Sequence, residues 1–116
     1  MTDPLVGLRD ALRSFAAARD WDQFHSPRNL AAALAVEAAE LLEPFQWLTD
    51  EQSRELSPES RAAVEQEMAD VLLYLVRLAD KLGVDLERAA RAKIALNAQK
   101  YPVEKARGSN RKYDEL

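Results

Sequence analysis

An all-α fold, an antiparallel bundle of about four long helices, follows from three features of the 116-residue chain. Glycine is scarce, with three in the whole chain, and Ala, Leu, Glu and Arg outnumber the β-branched residues, a composition that favours helix. Apolar residues return every three or four positions over long stretches, which is the period of an amphipathic helix and not of a strand. Ser26-Pro27 and Ser57-Pro58 each pair a hydroxyl cap with a residue whose φ is preset for the first helical turn.

Leu5, Leu8, Leu12 and Phe15 carry the period of a first helix over residues 4–19. The segment Trp21 to His25 breaks it. Ser26 and Pro27 open a second helix running to about Leu48, with a kink expected at Pro44, because a proline inside a helix removes an i to i−4 bond. Residues 50–57 are polar and without period, so they read as the inter-helix loop. Ser57 and Pro58 open a third helix that runs to Leu82, where Gly83 stops it by accepting a left-handed conformation. Asp85 caps a fourth helix ending near Tyr101, since Pro102 forbids simple continuation. From about residue 102 the chain, with Gly108, Ser109 and Asn110, reads as an irregular tail. The whole of 1–116 is expected to form a single domain, in keeping with the roughly 100–150 residues typical of one core.

The third helix is apolar over a wide stripe that includes Val64, Met68, Val71, Leu72, Leu75, Val76, Ala79 and Leu82. A 13.1 kDa chain has little interior in which to bury it. Part of the stripe is therefore expected to meet a second copy, making a homo-oligomer; the alternative is a self-contained bundle with leucines on its surface.

Composition also excludes classes of chemistry. An apolar fraction of 47% is too high for a disordered chain. The absence of Cys removes disulfides, thiolate nucleophiles and Cys-ligated zinc, and suits a reducing cytoplasm. One His cannot build a multi-histidine metal site. The net charge is −4, and residues 1–50 hold four Arg against eight acids, whereas Lys100 to Lys112 hold five basic residues against one acid. That distribution fits a local acidic site beside a basic tail for phosphates; it does not fit a nucleic acid polymer, which asks for a larger basic face. Arg9, Arg13 and Arg19 interrupt each apolar run near the start, so no signal peptide is expected. No stretch reaches the roughly 18 apolar residues that would cross a bilayer. A cytoplasmic protein without membrane contact is the expectation.

Four carboxylates carry the chemistry. Glu37 and Glu40 lie three apart within an apolar run of the second helix, and Glu67 and Asp70 repeat that spacing in the third. A spacing of three places both acids of a pair on one helix face, a turn apart. If the two helices face each other, the four acids share a groove, with Trp47 and Tyr74 further along the same faces. Carboxylates so crowded need protonation or a cation to offset their repulsion and desolvation. Oxygen-only ligation points to a hard ion, Mg2+ first and Mn2+ second. Such a site suits phosphoryl transfer; the plainer reading is acids paired with Arg and Lys on solvated faces. Glu43, three beyond Glu40, is a further ligand, a base for the attacking water, or a surface group.

Trp21, Phe24 and His25 sit in the break between the first two helices, where aromatics either sandwich a flat ring or cap the apolar end of the bundle. His25 either donates to a base carbonyl or a phosphate, or caps the surface. Lys93, Asn97 and Lys100 share a helix face, followed by Tyr101; together with Arg28, Arg107 and Lys112 they can neutralise a triphosphate.

The stretch Trp21-Asp22-Gln23-Phe24-His25-Ser26-Pro27-Arg28-Asn29-Leu30 leads into Glu37-Ala38-Ala39-Glu40-Leu41 and Phe45-Gln46-Trp47. With Glu67-Met68-Ala69-Asp70-Val71-Leu72-Leu73-Tyr74-Leu75, Asn97-Ala98-Gln99-Lys100-Tyr101-Pro102, Arg107-Gly108-Ser109 and Lys112-Tyr113, it closely resembles the dCTP pyrophosphatase branch of the all-α, MazG-like nucleoside triphosphate pyrophosphohydrolases. The likeness runs over nearly the whole chain. It implies magnesium-dependent cleavage between the α and β phosphates, with a preference for dCTP and its 5-modified forms and a role in cleansing the nucleotide pool. It further implies metal ligation by Glu37, Glu40, Glu67 and Asp70. The nucleoside pocket would then comprise Trp21, His25, Trp47 and Tyr74, with Tyr74 also excluding a ribose 2′-hydroxyl. A homotetramer built as a dimer of dimers is implied as well. Pro44 departs from the family's pattern. Other substrates of the same superfamily (dUTP, a histidine-pathway phosphoribosyl nucleotide or a broad set of triphosphates) and a non-catalytic partner-binding module are the alternatives.

Overall fold

The computed structural model describes residues 3–116, and all its regular structure is helical. The elements are α1 (Pro4–Ala18), α2 (Pro27–Leu42), α3 (Asp50–Arg54), α4 (Pro58–Leu82), α5 (Leu86–Lys100) and α6 (Val103–Ala106), with 3-10 turns at Asp22–Phe24 and Tyr113–Glu115. The capping residues read from the sequence take up their expected geometry. Ser26 Oγ accepts from the backbone N–H of Asn29 at 3.1 Å, Ser57 Oγ from that of Ser60 at 3.2 Å, and Asp85 from that of Arg88 at 3.1 Å. Each cap satisfies an amide that the first helical turn leaves without a partner. Gly83 ends α4 with φ 68°, in the left-handed region.

Three expectations need correction. The second helix stops at Leu42 and does not continue to Leu48. Pro44 has no N–H to give and its ring crowds the carbonyl of Glu40, so the kink expected there is a helix end. The chain leaves in a turn, with the Phe45 and Gln46 amides both donating to the Leu42 carbonyl, at 2.9 and 3.0 Å. The loop at 50–57 contains the short α3. Its signal was a capping box rather than a period: Thr49 Oγ1 accepts from the Gln52 amide, and the Gln52 side chain accepts from the Thr49 amide. The tail carries α6 and a 3-10 turn within residues expected to be irregular.

The helices group into two compact units, one ending at Val84 and the other spanning Asp85–Leu116. In the first, α2 packs along α4, and α1 also rests on α4. Arg77, late in α4, meets His25 just before α2, whereas Glu67, early in α4, meets Glu37 late in α2, so the two helices run antiparallel. The small buried core is Ala16, Leu30, Val64, Val76 and Ala79. Met68, Leu72 and Leu75 of α4 remain 56%, 39% and 37% exposed, so much of the wide stripe is uncovered within one chain. In the second unit the Tyr101 and Tyr113 rings meet edge to face at 6.3 Å, and the Lys100 ammonium lies 4.9 Å from the Tyr113 ring centre. Among the described residues, no helix is long and apolar enough to cross a membrane.

Candidate metal centre and adjoining cavity

The pairing of α2 with α4 brings together acids that lie far apart in sequence. One carboxylate oxygen from each of Glu37, Glu67 and Asp70 lies within 4.8 Å of the others. Glu37 and Glu67 are half-buried, and one oxygen of each, Oε2 in both cases, is fully buried without a hydrogen-bond partner among the described residues. Such an oxygen forfeits its hydration with nothing in return. The strain shows in Glu37, whose carboxyl is pushed from 4.5 up to about 7, chiefly by Glu67, then by burial, and then by Glu40 and Asp70. A divalent cation would give both orphaned oxygens a partner and remove the repulsion, and a donor set of carboxylates alone fits a hard ion. The residues therefore fit a metal site. Glu40 stands half-buried one turn beyond Glu37, close enough to raise it. Glu43, at the end of α2, is exposed.

Beside the cluster lies a cavity of about 390 Å3, within the size range of small-ligand pockets. Asp70 belongs to both the cluster and the cavity wall. Tyr74, one turn further along α4, and Trp21 and His25 from the segment before α2 line the same space, as do Leu8, Leu12 and Phe15 of α1. Trp21 is held edge to face between Phe15, at 5.6 Å, and His25, at 6.5 Å. The break in the first helical period thus places Trp21 and His25 in the cavity wall, while Phe24 is 60% exposed.

Other candidates stand elsewhere. Trp47 is 87% exposed and does not line the cavity, because α2 ends five residues before it and the turn through Pro44 releases it from the face that carries Glu37. Arg28 is exposed on the first turn of α2. Lys93, Asn97, Lys100, Tyr101, Arg107 and Lys112 all belong to the second unit. There Lys93, Asn97, Arg107 and Lys112 are exposed, and Lys100 and Tyr101 pack on Tyr113.

Sequence reasoning overlooked a polar network that reaches the cavity wall through Arg77 and His25. Arg77 is buried and donates to Asp22 at 2.6 Å and to His25 at 3.1 Å. Lys81 also pairs with Asp22, and Arg13 Nε donates to Asp80 at 2.8 Å. Lys81, with burial opposing it, holds the Asp22 carboxyl below its usual range, and Arg13 does the same for Asp80. The available signal was Arg77 itself, a charge set between Val76 and Leu78 in an apolar stripe with Asp80 one turn on.

Residues 32–116 match the MazG-like family. The dCTP pyrophosphatase 1 of Homo sapiens is 49% identical over 114 residues, spanning 97% of this chain and 67% of its own length, and that of Rattus norvegicus is 48% identical over the same extent. The crystal structure of a pyrophosphatase from Archaeoglobus fulgidus aligns with a TM-score of 0.82 at 38% identity, covering 88% of this chain and 95% of that one. With the helical frame and carboxylate cluster already described, these likenesses make the chain a member of the MazG-like family. Within it the chain stands in the dCTP pyrophosphatase branch, and it is an enzyme, a nucleoside triphosphate pyrophosphohydrolase of that type.

Proposed function

We propose that the enzyme hydrolyses a pyrimidine deoxynucleoside triphosphate, dCTP and its 5-modified forms foremost, to the monophosphate and pyrophosphate. The observation that carries this reading is the acidic cluster with two partnerless buried oxygens, sharing Asp70 with a cavity walled by aromatics. Glu37, Glu67 and Asp70, joined by Glu40, would hold Mg2+, with Mn2+ as a substitute. The bound ion supplies positive charge that offsets the triphosphate and makes water a better nucleophile.

The remaining steps belong to side chains. Trp21 and Tyr74 flank the base, and His25 hydrogen-bonds it. Glu40, or Glu43 beyond it, takes a proton on a carboxylate oxygen from the water that attacks the α-phosphorus. A phosphorus–oxygen bond forms to that water as the bond to the bridging α–β oxygen breaks, and pyrophosphate departs with the electron pair. Arg28, Lys93, Asn97, Lys100, Tyr101, Arg107 and Lys112 contribute charge and hydrogen bonds to the phosphates. The working form is a homo-oligomer, a tetramer assembled as a dimer of dimers, whose contacts cover the exposed α4 stripe and the exposed Trp47. That assembly brings Trp47 to a nucleoside pocket.

Pyrophosphate release measured with dCTP, 5-methyl-dCTP, dUTP, dATP and CTP in the presence of Mg2+ tests the reading. It predicts the highest kcat/KM for dCTP and 5-methyl-dCTP and poor turnover of CTP. Equal rates on all five would replace it with a broad-specificity enzyme, and dUTP leading would replace it with a dUTP-type one.

A further inference from the structure

One charge in the first unit has no place in the carboxylate cluster. The Arg77 side chain, in a residue 6% exposed overall, directs Nη2 to Asp22, Nη1 to Asp80 at 3.4 Å, and Nε to the Nδ1 of His25 at 3.1 Å. An arginine N–H can only donate, so the imidazole nitrogen facing it must present a lone pair. The ring proton then resides on Nε2. An imidazolium would set one N–H against another, and burial, followed by the Arg77 and Lys81 charges, already pushes His25 below its ordinary range, with Asp22 opposing. The ring lines the cavity, and no described residue hydrogen-bonds Nε2.

We infer that Arg77 is a positioning residue: it locks His25 as the Nε2–H tautomer, so that the cavity offers its ligand a fixed donor and selects a hydrogen-bond acceptor, such as a ring carbonyl oxygen, over an amino group. The inference rests on the reading of this cavity as the nucleoside pocket. It goes beyond that reading in naming the group that fixes the direction of the hydrogen bond. Asp22 and Asp80 balance the buried guanidinium, and their own partners, Lys81 and Arg13, hold them in place.

Because His25 is the sole histidine, a long-range 1H–15N spectrum of the free protein reports its tautomer without assignment ambiguity. The expected pattern near pH 7 is Nε2–H with an unprotonated Nδ1. An Nδ1–H or imidazolium pattern in the unaltered protein overturns the inference, whether or not any nucleotide is hydrolysed. Arg77→Met is expected to mix the tautomers and raise KM for dCTP about tenfold, the loss of one oriented hydrogen bond, with kcat within about twofold. Arg77→Lys, which keeps a donor, is expected to recover the Nε2–H pattern and most of the KM. An Arg77→Met protein that folds, by circular dichroism, and keeps both tautomer and KM removes the positioning role. Should it not fold, Arg77→Lys decides: a lost Nε2–H pattern in that folded variant contradicts the inference. Absence of pyrophosphate release from every triphosphate, with the tautomer as expected, would instead fault the nucleotide reading alone.

Discussion

At the scale of single residues, Glu37 governs how the acidic cluster behaves in chelator. Its folded value of about 7 lies above the ordinary 4.5, so between these the folded state binds more protons than the unfolded one. Stability of the metal-free protein therefore falls as pH rises from about 4.5 to about 7, as far as this group contributes. Thermal melts in chelator across that range should show the decline, and Glu37→Gln should flatten it. Asp70→Asn leaves the helices intact but weakens the metal site at a ligand shared with the cavity; turnover should fall by at least about a hundredfold, measured as pyrophosphate release. Full activity in that variant would remove Asp70 from the mechanism. The acids were legible because helical spacing alone puts Glu67 and Asp70 on one face. Arg77 was less so: its place within an apolar stripe marks it, but its partners His25 and Asp22 lie 52 and 55 residues away, beyond the reach of any local period.

At the scale of elements, the helix starts were the most legible feature because each rests on chemistry within four residues. Ser57→Ala should destabilise the protein by about 1 kcal/mol in urea unfolding, the usual worth of such a cap. Gly83→Ala should cost about 1 kcal/mol as well. A Cβ there meets open space, so the cost is confined to the φ of 68°. The end of α2 was less legible. Phe45-Gln46-Trp47-Leu48 suits a helix by composition, and whether Pro44 kinks or ends it depends on packing beyond the proline. With Trp47 87% exposed, the described residues give the extra turn little to pack on. The short α3 escaped because five polar residues have no period to display.

At the scale of the whole molecule, the buried apolar core among the described residues, Ala16, Leu30, Val64, Val76 and Ala79, is slight for a chain of this size, while Met68, Leu72 and Leu75 lie exposed on α4. Apolar surface of this kind favours burial against a second copy at roughly 25 cal/mol per Å2. Light scattering should therefore give a mass at least twice, and on the proposed assembly about four times, the 13.1 kDa of one chain. Leu72→Glu with Leu75→Glu should lower it to that of the monomer; a monomeric unaltered protein would contradict the assembly. The stripe was legible as helical period, but its partner was not, since periodicity marks a buried face without saying what buries it. The proposed activity turns on the acids of α2 and α4 acting together on a divalent ion. The most direct measurement is pyrophosphate release from dCTP during a Mg2+ titration after chelation, run on the unaltered enzyme and on Glu67→Gln. Activity that is abolished by chelation, restored by Mg2+ and not restored at matched Mg2+ in the variant is the predicted result; undiminished release in chelator, or a Glu67→Gln enzyme indistinguishable from the unaltered one, would contradict it.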